Sequence, residues 1–81
     1  METTVSRRAI AMLRAVAAGR GEIGYGTEPD LFVDGLPCCD QYAAHALAHG
    51  GFVRPEQPGR PGFRMPAVLT AAGLALVTAL A

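Results

Sequence analysis

The sequence predicts a single domain over residues 1–81, mainly α with a small β-hairpin, an α+β chain. Three observations predict it. Apolar residues recur at helical spacing over residues 5–17. An alanine-rich run over residues 38–49 is halted by Gly50 and Gly51. Two short apolar stretches, 52–54 and 63–65, flank a segment dense in proline and glycine.

In the first helix Val5, Ala9, Met12, Leu13, Val16 and Ala17 share one face, and Arg7, Arg8 and Arg14 fall mostly on the other. Thr3 or Thr4 is the expected cap, and Gly19 and Gly21 the expected stop. Between residues 22 and 37 the pattern is turn-rich. Residues 22–25 read as a short strand, Pro29 and Asp30 as turn chemistry, and Leu31, Phe32 and Val33 as a β-prone run. Asp34 and Gly35 form a strong turn signal, with Leu36 and Pro37 leading onward.

Pro37 suits the first turn of the helix expected over residues 38–49. Phe52, Val53 and Arg54 then read as a strand, residues 55–62 as a loop with a floppy tip, and Phe63, Arg64 and Met65 as the returning strand. Thr70 caps a last helix that places Leu74, Val77 and Leu80 on one face. The expected core adds Ile10, Ile23, Leu31, Phe32, Leu36, Leu47, Phe52, Phe63, Leu69 and Leu76.

Eighty-one residues allow one modest core, and much of the 51% apolar content is alanine. So thin a core favours pairing with a second copy, and a homodimer is expected. Every basic side chain is arginine, which with abundant alanine and glycine suits a high-GC bacterial genome. The formal net charge is zero, which argues against a general nucleic-acid coat. Its distribution is uneven: residues 1–20 carry +3, residues 21–41 carry −5 and residues 42–81 carry +2. The N-terminal stretch is amphipathic rather than a signal sequence, and a cytoplasmic location is expected. Residues 65–81 lack charge, but Pro66, Thr70, Gly73 and Thr78 interrupt a stretch shorter than the roughly 20 apolar residues of a span. No membrane contact is expected.

The residues Leu47, Gly51, Phe52 and Val53 resemble the end of a recognition helix and the opening of a wing in bacterial winged-helix regulators. Leu69, Thr70 and Gly73 resemble the leucine-threonine-x-x-glycine run that follows the wing in MarR-like regulators. The order of helix, turn-rich segment, helix, hairpin and helix is also similar to that fold. The chain is shorter than MarR-like proteins and lacks most of their dimer-forming helices, and residues 28–36 stand where the first helix of the helix-turn-helix would be. The resemblance implies a winged helix-turn-helix, a transcription regulator binding double-stranded DNA, with residues 38–49 in the major groove and residues 54–64 as the wing.

The expected DNA-contacting residues are Gln41, Tyr42, His45 and His49 on the outward helix face and Arg54, Arg60 and Arg64 on the wing. Gln41 and His45 are neighbours at i and i+4, and glutamine suits the adenine edge. A wing arginine suits backbone or a narrow minor groove. Asp40 would repel phosphate and fits better in the first helical turn.

Cys38, Cys39, His45 and His49 comprise four metal-ligand types, but one helix cannot easily wrap an ion with all of them. A metal or thiol sensor is the lesser alternative, and no metal or other cofactor is expected. No nucleophile-base set or phosphate loop points to an enzyme. The main alternative is a protein-interaction module on the same fold, associating through residues 67–81.

Overall fold

The computed structural model describes residues 6–26 and 29–79. The expectations placed on Thr3, Thr4, Val5, Glu28 and Leu80 lie outside the described residues. The architecture is α+β: three helices against a five-stranded antiparallel sheet, in the order α1 (Arg7–Ala17), β1 (Gly21–Gly24), β2 (Leu31–Val33), β3 (Leu36–Pro37), α2 (Gln41–His49), β4 (Val53–Pro55), β5 (Arg64–Leu69) and α3 (Ala71–Ala79). Across the sheet the strands run β3-β2-β1-β5-β4.

Ser6, not an earlier threonine, caps α1 by accepting from the Ala9 N–H. The helix buries Ala9, Met12, Leu13 and Val16, the i, i+3, i+4, i+7 set. Ala15 is also buried, and Ala17 is exposed, correcting its expected place on the apolar face. Leu13 meets Ile23, Leu31, Ala44, Leu47, Val53 and Ala67 in one core cluster.

The sheet has two unlike faces. Ile23, Leu31, Val53 and Ala67 point at the helices and are buried. On the other face Arg64 lies over the Phe32 ring at 4.4 Å and 3.8 Å from Glu22. Both edge strands hold a proline, Pro37 in β3 and Pro55 in β4, which blunts edge-to-edge pairing. Pro66 sits inside the sheet, where its carbonyl accepts from Glu56 just beyond the end of β4. Its missing donor falls on that same side, so no ladder bond to β1 is lost.

The turn-rich segment resolves as strand pairing rather than a helix. Asp34 (φ 55°) and Gly35 (φ 82°) are both left-handed and join Val33 to its partner Leu36. That is the mirror-image turn whose twist matches a hairpin, and it needs a residue such as glycine at the second position. Arg20 pairs with Asp34 at 2.8 Å, tying the hairpin to the end of α1.

Several expected boundaries are corrected. The helix begins at Gln41, capped by Asp40, so Cys38 and Cys39 precede it. The second hairpin pairs Val53 with Leu69 and Pro55 with Ala67, so the returning strand, expected over residues 63–65, runs Arg64–Leu69. Leu36, Phe63 and Leu74 are 58–70% exposed rather than core.

The two motifs carrying the family resemblance meet in space. Thr70 donates its N–H to Phe52 O and its hydroxyl to Gly51 O, and accepts from Gly73 N–H. A Cβ at Gly73 would fall 2.1 Å from Phe52 O. The threonine therefore caps α3 while binding it to the end of α2, and only glycine permits the approach.

Candidate nucleic-acid interface

α2 is held by its buried side and one end. Ala44 and Leu47 are buried against α1 and the sheet. Asp40 accepts from the Ala43 N–H at 3.0 Å and lies 3.6 Å from Arg8. It is therefore the N-cap of the helix, with its charge against both the helix N-terminus and an arginine.

Of the four α2 residues expected to face DNA, Tyr42 is 88% exposed and His49 is exposed, on a face shared with Ala46. Gln41 is not an outward reader. Its amide accepts from Leu31 N–H at 3.1 Å and donates to Leu31 O at 3.1 Å and Cys38 O at 2.9 Å. It acts as a strand partner for β2, and its hydrogen-bonding atoms are occupied. His45 is half-buried, with Nε2 2.9 Å from Asp30 Oδ1, which ties α2 to the segment before β2.

The three arginines expected on the wing divide. Arg64 is engaged with the sheet, over Phe32, near Glu22 and 3.4 Å from Gly35 O. Arg54 donates to Pro55 O at 3.0 Å, and Arg60 stands 6.0 Å from the Phe63 ring centroid. Both are exposed, and among the described residues no carboxylate pairs with either. The acidic middle of the sequence is correspondingly not one patch. Glu22, Asp30, Asp34 and Asp40 each face a basic side chain, three of them arginines from α1, its C-terminal end or β5.

A shallow groove separates the end of α2 from β4. It is lined by Tyr25, Pro29, Ala48, His49, Val53 and Arg54, among others. Tyr25 escaped the sequence reading because it stands outside both the helix and the hairpin, and no periodicity links it to either.

Cys38 is half-buried and Cys39 exposed. Burial, and then the neighbouring Cys39, push the Cys38 thiol up from its ordinary value. Cys38 stands three residues before α2 rather than in its first turn. Among the described residues no three His, Cys, Asp or Glu side chains gather where they could hold a metal ion, so Cys38, Cys39, His45 and His49 do not form one centre. Among the described residues no helix is long and apolar enough to cross a membrane. No protein-family model, curated protein or solved structure matches the chain.

Proposed function

We propose that this chain is a winged-helix domain that binds double-stranded DNA as a transcription regulator. The observation that carries the reading is a pair of exposed features, with His49 of one and Arg54 of the other lining one groove. One is the uncovered face of α2, with Tyr42 and His49. The other is a hairpin whose Arg54 and Arg60 have no acidic partner among the described residues. The strand order β1-β5-β4, with α2 entering β4 through Gly50 and Gly51, supports the winged-helix assignment. The β2–β3 hairpin takes the place of the first helix of the usual helix-turn-helix, and Gln41 fastens it to α2 as that helix would be fastened by packing. On this reading Tyr42 and His49 approach base edges or backbone, and Arg54 and Arg60 meet phosphates.

Selection from a random duplex pool tests this. A consensus should emerge, and Tyr42→Ala should weaken binding to it by about tenfold, the loss of one good contact. Recovery of no enriched sequence, with no retained DNA at low salt, would refute the reading.

A second reading, a protein-interaction module, is favoured by one specific observation. α3 carries no charge, and Ala71, Ala72, Leu74, Ala75, Thr78 and Ala79 are exposed. The two readings join if α3 pairs copies of the chain into a homodimer that binds DNA.

A further inference from the structure

We infer that Tyr25 is the seat of the wing: its ring fixes the position at which the β4–β5 loop carries Arg60. It is thus a positioning residue for the DNA contact, and that functional consequence rests on the reading proposed above.

Tyr25 lies at the end of β1 and is 55% exposed. The loop folds back onto it. A Cβ at Gly59 would stand 3.3 Å from Tyr25 Cδ1, 3.5 Å from Tyr25 Cβ and 3.3 Å from Met65 Cγ. The Gly59 backbone therefore rests on the tyrosine ring, and a branched side chain there would push the loop away.

The loop is also closed by its own bonds at base and tip. Glu56 N–H donates to Pro66 O at 2.8 Å at the base. At the tip Phe63 N–H donates to Arg60 O at 3.1 Å, with Pro61 and Gly62 (φ 87°) at the central positions. That is a type II turn, which calls for proline and then glycine in that order. Base and tip are closed within the hairpin. Between them, Met65 belongs to β5 itself, and Tyr25, at the end of β1, is the neighbour from outside the hairpin that meets Gly59. Arg60 follows Gly59 directly, so the seat sets where the guanidinium stands. A loop held this way has less to order on binding. The same Tyr25 lines the groove between α2 and β4, so one ring references the wing to the helix.

The test compares Tyr25→Phe, Tyr25→Ala, Arg60→Ala and the Tyr25→Ala/Arg60→Ala pair. Without DNA, the Gly59 α-protons should show a ring-current shift in the wild type and in Tyr25→Phe, lost in Tyr25→Ala. Should Tyr25→Ala fail to fold, Gly59→Val breaks the same contact from the loop side and should lose affinity alike. With the selected duplex, Tyr25→Ala should weaken binding about as much as Arg60→Ala, near tenfold for one charge-assisted contact. The double variant should be no weaker than either single one, because both remove the same interaction. Additive losses, or an unshifted Gly59 in the wild type, would overturn the seat. A wild type that binds no duplex yet shows the Tyr25-dependent shift would refute the DNA reading and support the seat.

Discussion

Gln41 shows how one side chain changes meaning between sequence and fold. On a helical wheel it faces outward, where glutamine suits an adenine edge. In the structure its amide completes the backbone pairing of Leu31, and both of its N–H donors are spent on Leu31 O and Cys38 O. Gln41→Ala should therefore lower stability by about 1–2 kcal/mol, read as a reduced Tm, since the Leu31 groups lose their partner in a half-buried position. Gly73→Ala makes the same kind of argument with a sign reversal. Helix propensity alone would favour alanine by about 1 kcal/mol. The contact with Phe52 O forbids it, and a net destabilisation of about 1–3 kcal/mol is expected by denaturant titration. For the cysteines the expected order of alkylation at pH 8 is Cys39 first, because Cys38 holds its proton longer. The sign for stability follows from the same shift. The folded state keeps the Cys38 proton above the ordinary thiol pKa, so this contribution is full below that pH and is lost as pH rises through the raised value.

At the scale of elements, local chemistry was legible wherever a residue type acts on its own neighbours. Asp34 and Gly35 announced the β2–β3 turn, Gly50 and Gly51 the end of α2, and Thr70 the start of α3. Gly35→Ala should cost about 1–2 kcal/mol in thermal unfolding, since alanine must adopt the left-handed conformation there. Long-range pairing was not legible. The returning strand reads as residues 63–65 until Val53 pairs with Leu69, and Pro66 argues against an inner strand until the end of β4 leaves its missing donor without a task. The same limit hid part of the candidate site. The occupied amide of Gln41 and the stacking of Arg64 on Phe32 join segments 10 and 32 residues apart, and Tyr25 meets Gly59 across 34. No spacing rule reaches that far.

At the scale of the whole molecule, none of the charged side chains belongs to α3. Among the described residues Glu22, Asp30, Asp34 and Asp40 each pair with a basic side chain of the chain itself, while Arg54 and Arg60 have no carboxylate partner. The charge-free α3 packs on α1 and β5. If α3 joins two copies, the selected DNA should be a palindrome, with half-sites about one helical turn apart or a multiple of that. Leu74→Arg should then give a monomer in sedimentation equilibrium while its fold stays intact, since Leu74 is exposed in one copy. The most direct measurement of DNA binding is a salt titration of affinity for the selected duplex. The wild-type log affinity should fall linearly with log salt, and Arg54→Ala and Arg60→Ala should each reduce the slope by about one, one phosphate contact apiece. Binding that ignores salt, or slopes unchanged in both arginine variants, would contradict the proposal.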